Sequence, residues 1–239
     1  MNLQTRYLGI PLKSPLVAAA SPLSRELGGV KRLEDAGASA IVLYSLFSEQ
    51  IQGEVEVPAY NQFGSDPVEE HHSFAPDQAS YHSSPDSYLD LISRAKATVQ
   101  IPVVASLNVA HLDEWVSFVP HFQQAGADAL ELNIYRIVAD SDLNGAGVER
   151  QYLDLVRAVK SELTIPLAVK VLPYFTSFAN FARSLTLAGA DALVLFNCLY
   201  QPDIDLANLE SAPARDLGAL NDNRLPLHWT SCLYGRIHA

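Results

Sequence analysis

Cysteine is nearly missing from this 239-residue chain: Cys198 and Cys232 are the only two. That excludes a disulfide framework and suits a reducing compartment. Long apolar runs are missing too; no stretch reaches the length of about 18 residues that a membrane span needs, so no membrane partner is expected. The opening stretch, MNLQTRYLGIPLKSP, has neither a secretory apolar core nor the Arg/Ser richness of a transit peptide, and the expected location is the cytoplasm. Basic residues are in deficit, 16 Lys and Arg against 27 Asp and Glu, for a net charge of −11. Phosphate-backbone binding needs clustered cations, so a nucleic-acid partner is not expected. No Gly-x-Gly-x-x-Gly turn follows any apolar run, which removes the usual dinucleotide-binding signal.

What is present is a repeat. Ile101–Tyr135 reads IPVVASLNVAHLDEWVSFVPHFQQAGADALELNIY, and Ile165–Asp205 opens IPLAVKVLPYFTSFANFARSLTLAGADALVLFN. Gly126-Ala127-Asp128-Ala129-Leu130 recurs as Gly189-Ala190-Asp191-Ala192-Leu193, and a third, looser copy runs from Asp35 to Ile41. In each copy a glycine closes a helix and a short apolar strand follows. Strands buried on both faces read as unbroken apolar runs, here Pro166–Leu172 and Ala192–Phe196, and helical crossovers make them parallel. The fold class expected is α/β, a TIM (β/α)8-type barrel rather than an open sheet. At 49% apolar residues the chain is expected to form one barrel domain over residues 1–239.

Taken in order, Thr5–Leu12 alternates loosely, turns at Lys13-Ser14-Pro15 and resumes as Leu16–Ala20, an N-terminal β-hairpin feeding the first barrel strand. That strand ends in Ala19-Ala20-Ser21, small enough to admit a flat ligand or simply a tight strand end. A helix at Glu26–Ala36 and a strand at Ala40–Ser45 follow. Ser48–Ser84 is polar, Pro-punctuated and much longer than a usual connection, as lids and binding loops are. It holds His71, His72 and His82, which no spacing assigns to one metal; no metal is expected. Ser84-Pro85 opens a helix as cap and first residue. A strand at Pro102–Leu107, a helix at Asp113–Ala125 kinked by Pro120, a strand at Ala129–Ile134 and a helix at Val148–Glu162 complete the middle. Asp140–Gly145 imitates the start of a calcium loop, but Gln151 stands where the bidentate glutamate belongs, so it reads as a turn. Leu225–Leu233 is expected as a seventh strand. With the chain stopping at Ala239, the barrel is expected to be incomplete, its last βα unit missing.

Polar residues interrupt the apolar strands at few places. Lys170 lies inside Pro166–Leu172, Asn197 follows Phe196, and Glu131 and Asn133 lie in Ala129–Ile134. A lysine within an apolar layer requires an anionic or hydrogen-bonding partner. It can be a structural ion pair with Glu131 or the centre of a site; the asparagines can be strand-end caps or ligand contacts.

Val169-Lys170-Val171-Leu172-Pro173-Tyr174-Phe175, Leu130-Glu131-Leu132-Asn133, Leu193–Asn197 and Tyr200-Gln201-Pro202-Asp203-Ile204-Asp205 together make the sequence resemble the dihydroorotate dehydrogenases, FMN-dependent barrels of pyrimidine biosynthesis. The likeness is greatest to the soluble class 1 enzymes and the dihydroorotate dehydrogenase-like proteins. It implies an oxidoreductase with FMN as cofactor and a dihydropyrimidine-like small-molecule substrate, with a homodimer as the assembly. Ala20, Ser21, Asn108, Asn133, Lys170 and Asn197 would line the cofactor, Lys170 and Asn133 would be catalytic, and Asn197 and Cys198 would meet the substrate. The family's base, a cysteine or serine after the strand-4 asparagine, has no counterpart near Arg136, and arginine cannot act as a base at neutral pH. Two other readings stay open: a truncated or degenerate barrel without catalysis, and a Schiff-base role for Lys170.

Overall fold

The structure is a computed structural model that describes residues 2–52, 84–109, 114–134, 136, 138, 140–197, 202–205, 210–213 and 223–237. Cys198 and the histidines at 71, 72 and 82 lie outside the described residues, as does most of the long polar stretch that holds those histidines.

The chain opens with an antiparallel hairpin of β1 (Thr5–Tyr7) and β2 (Ile10–Leu12). It turns at Leu8 and Gly9, both at positive φ, not at Lys13-Ser14-Pro15 as the pattern suggested; a two-residue turn of that hand matches the twist of its strands. Then come β3 (Val17–Ala18), α1 (Leu27–Asp35), β4 (Ala40–Val42), β5 (Leu46–Phe47), α2 (Ser48–Gln52) and α3 (Pro85–Thr98). Ser84 caps α3 by accepting from Ser87 N–H, with Pro85 opening the helix. The second half holds β6 (Val103–Val109), α4 (Val119–Gln124), β7 (Ala129–Ile134), α5 (Gly145–Ser161), β8 (Leu167–Val171), α6 (Phe178–Ala188), β9 (Ala192–Leu195), a hairpin of β10 (Pro202–Asp205) and β11 (Glu210–Pro213), and α7 (Arg224–Leu233).

Two further expectations are corrected. The segment Asp113–Ala125 is not one kinked helix: a 3-10 turn at Glu114–Phe118 precedes α4, and Pro120 sits in the first turn of α4, where its missing N–H costs nothing. Leu225–Leu233 is helix, not a seventh strand. Trp229 and Leu233 recur at helical spacing; Leu233 is buried and the Trp229 ring meets Phe178 edge-on at 4.8 Å. The seventh strand of the sheet is instead β5, which pairs with β6.

The sheet is parallel, in the order β3-β4-β6-β7-β8-β9. Curled and covered by helices, it is an incomplete α/β barrel, with β3 and β9 at its edges among the described residues. Successive side chains point to opposite faces. Leu130, Leu132, Val169 and Val171 join the helices in the larger core. Val42, Val104, Ala129, Ala168 and Ala192 line the inner face, which the hairpin residues Tyr7, Leu8 and Ile10 fill from the N-terminal end of the strands. No described helix is long and apolar enough to cross a membrane.

The repeat has a physical basis. Gly37, Gly126 and Gly189 follow α1, α4 and α6 at φ of +100, +100 and +117, where a side chain would be strained. After Gly126 and Gly189 the aspartate two residues on ties neighbouring units together. Asp128 accepts from Val103 N–H and pairs with Lys96 at 2.7 Å; Asp191 accepts from Leu167 N–H and pairs with Lys160 at 2.6 Å.

Candidate functional site

Alternation along the strands places a row of polar groups above the small inner residues. Asn108 follows Val104 at even spacing on β6, Glu131 and Asn133 follow Ala129 on β7, and Lys170 follows Ala168 on β8. Register lines them up across the sheet: Asn108 opposite Asn133, Asn133 opposite Lys170, and Lys170 opposite Val194. This row lies near the C-terminal ends of the strands, the end where barrels of this class carry their sites. Asn197, just past β9, donates its backbone N–H to Val171 O and so is held at the same rim.

The amides are joined. Asn197 Nδ2 donates to Asn133 Oδ1 at 2.9 Å, and Asn133 Nδ2 donates to Asn108 Oδ1 at 2.5 Å. Asn133 is buried, while Asn108 and Asn197 are half-buried. The remaining groups of Asn108 and Asn197 are left at the ends of the chain, an arrangement suited to a planar ligand with alternating donors and acceptors.

Lys170 Nζ stands 3.9 Å from Glu131 Oε1, with side-chain exposures of 17% and 5%. At that distance the pair attracts by charge without a hydrogen bond. Burial pushes the Glu131 carboxyl above the ordinary carboxylate range, and the Lys170 ammonium pulls it partly back. The same buried carboxyl, after burial itself, raises Tyr7, whose ring belongs to the inner cluster. Tyr88 is fully buried and raised chiefly by that burial; its hydroxyl donates to Ser106 O and accepts from Ser106 N–H. It thereby fixes β6 beside Glu131, since Ser106 is the register partner of Glu131.

Ala20 packs against the inner cluster, and Ala20 and Ser21 are half-buried beyond β3. Ser21 O accepts from both the backbone N–H and the hydroxyl of Ser24, whose hydroxyl also reaches Val42 O. This fixes the strand end as a tight turn and leaves its small side chains at the rim. Glu131, Ser106 and Phe47 are inner-row residues the sequence did not single out as site residues. Phe47 is the register partner of Asn108; β-strand alternation would have revealed it only if the break after Val42 had been foreseen. Asn144, in the calcium-like stretch, caps α5 by accepting from Gly147 N–H. A surface groove lined by Gln4, Thr5, Arg6, Pro11, Leu12 and Lys13 lies on the hairpin and contains none of these residues.

No family model matches the chain. Curated relatives are dihydroorotate dehydrogenases. The "Dihydroorotate dehydrogenase B (NAD(+)), catalytic subunit" of Thermoplasma acidophilum is 26% identical over 216 residues, covering 86% of this chain and 65% of the relative. "Dihydroorotate dehydrogenase A (fumarate)" of Limosilactobacillus reuteri is 31% identical over 125 residues, covering 51% of this chain and 41% of the relative. Among solved structures, a phosphonopyruvate hydrolase complex with oxalate and Mg++ superposes with a TM-score of 0.53 at 14% identity, covering 94% of this chain and 65% of that one. That likeness speaks for the barrel architecture alone. The chain is thus similar to dihydroorotate dehydrogenases along most of its sequence, and spans between 41% and 65% of the length of these relatives.

Proposed function

We propose that this chain is the flavin-facing part of an FMN-dependent oxidoreductase of dihydroorotate dehydrogenase type, acting on a dihydropyrimidine-like substrate. The observation that carries the reading is the joined row Asn108–Asn133–Asn197 with Lys170 in register beside it. The residues fit a flavin ring: small side chains at Ala20 and Ser21 leave room for a flat face, and the amides match the edge of a pyrimidine-like ring. Among the described residues no acceptor takes a hydrogen bond from Lys170 Nζ, so its donors are available to the ring. FMN, when bound, supplies an N5 that accepts hydride. In this reading Lys170 offsets negative charge near the ring, Asn133 and Asn108 hold its edge, and Asn197, with Cys198 after it, orients the substrate. The assembly proposed is a cytoplasmic homodimer.

The test is to titrate the purified chain with FMN and follow the visible flavin band and the quenching of flavin fluorescence, then add dihydroorotate without oxygen. Uptake of FMN followed by bleaching is expected. A chain that takes up no FMN overturns the reading.

One observation favours a second reading, a barrel that binds but does not turn over. Arg136, near where the family places its base, donates to Gln151 on α5, and a guanidinium has no free lone pair with which to take up a proton. Uptake of FMN with no bleaching by dihydroorotate would select this alternative.

A further inference from the structure

Among the described residues Glu131 is the buried acid of the inner face, and the proposed function leaves it without a task. The residue is 4% exposed, lies on the same strand face as Asn133, and has Lys170 as its paired cation among the described residues. The groups facing it are Lys170 from β8, Tyr7 from the hairpin, and Tyr88 from α3 with Ser106 of β6. Around it the inner face is made of Ala129, Ala168 and Ala192, side chains too short to compete for the ammonium.

A buried ion pair is poor evidence for stability, since apolar residues of similar volume commonly do as well. This one is also loose. At 3.9 Å the carboxylate takes none of the three N–H donors of Lys170 by hydrogen bonding. A pair built for stability would close to contact, whereas this spacing orients the ammonium and leaves its donors for something else at the rim. A flexible four-carbon stem with no anion beneath it would swing to solvent, because an ammonium is strongly hydrated.

We propose that Glu131 is a positioning residue: from inside the barrel its carboxyl holds the Lys170 ammonium level with the asparagine row, presenting it to a planar electron-accepting ring. The use made of that ammonium rests on the flavin reading above; the coupling between the two side chains does not.

Two measurements separate these. In the ligand-free chain, carbon NMR of glutamate side chains, with Glu131 assigned by its loss in Glu131→Gln, follows the carboxyl through pH. Replacing Lys170 by Met should raise the Glu131 titration midpoint, strengthening its hold on a proton about tenfold. An unchanged midpoint overturns the proposal, and so does a wild-type midpoint so high that the carboxyl is neutral at the pH of FMN uptake, a result obtainable even if the variant does not fold. In the second measurement, Glu131→Gln should weaken FMN uptake about tenfold while Glu131→Asp stays within about threefold of wild type. Equal affinities in all three chains overturn the positioning role. If the wild-type chain takes up no FMN while the midpoint still responds to Lys170→Met, the flavin reading fails and the coupling of the two residues stands.

Discussion

Asn133 Oδ1 accepts a hydrogen bond from Asn197 Nδ2 at 2.9 Å, joining side chains 64 residues apart in the chain. The same interval separates Ile101 from Ile165 in the repeated segments. Asn133 closes one repeat and Asn197 the next, so the periodicity itself delivers the two amides to one rim.

Asn133→Ala removes the middle of that row and leaves the amides of Asn108 and Asn197 without their partner. A loss of about 1–3 kcal/mol is expected in urea unfolding, the usual cost of leaving a partly buried hydrogen-bonding group unmatched. FMN uptake should fall at least about tenfold in fluorescence titration. Unchanged uptake would remove Asn133 from the proposed site.

Glu131 gives the chain a pH-dependent stability with a definite sign. Its folded-state pKa is raised by burial, so the folded chain binds its proton more tightly than the unfolded chain. The contribution is fully present below the ordinary carboxylate pKa and is lost as pH rises through the raised value. Urea midpoints measured from below the ordinary carboxylate range upward should therefore decline more steeply for wild type than for Glu131→Gln. Parallel curves would show that the carboxyl is not perturbed.

Tyr88→Phe deletes one hydroxyl that serves both the N–H and the carbonyl of Ser106. Both are backbone groups of a central strand, and Tyr88 is completely buried, so water cannot readily replace it. A destabilisation of about 1–3 kcal/mol is expected from urea unfolding. A smaller effect than that of an exposed control such as Tyr174→Phe would contradict the assignment.

Gly189→Ala and Gly37→Ala compare backbone strain with and without crowding. Both glycines have positive φ, at +117 and +100. A Cβ at 189 would lie 2.7 Å from Lys160 Cγ, whereas at 37 nothing lies within 4 Å. Each substitution should cost about 1–2 kcal/mol for the left-handed backbone. The one at 189 should cost more, because it also displaces the lysine stem that reaches Asp191. Thermal or urea unfolding that ranks them the other way would refute the crowding argument.

The sequence by itself determined the architecture and the row's composition. Unbroken apolar runs, closing glycines and a recurring Gly-Ala-Asp are local signals, and each reports on a strand or helix end within its own repeat. Ala129–Ile134 was legible residue for residue because nothing distant modifies a strand buried on both faces. Pairing was different. That Glu131 meets Lys170, that the asparagines join, and that Tyr7 plugs the barrel beneath them depend on register between strands far apart in sequence, which no local pattern encodes. The helix at Arg224–Leu233 was misread for the same reason. Its short apolar run fits either period, and packing of Trp229 against Phe178 selects the helix. Side-chain chemistry was written in the sequence; which groups face one another was decided by the curl of the sheet.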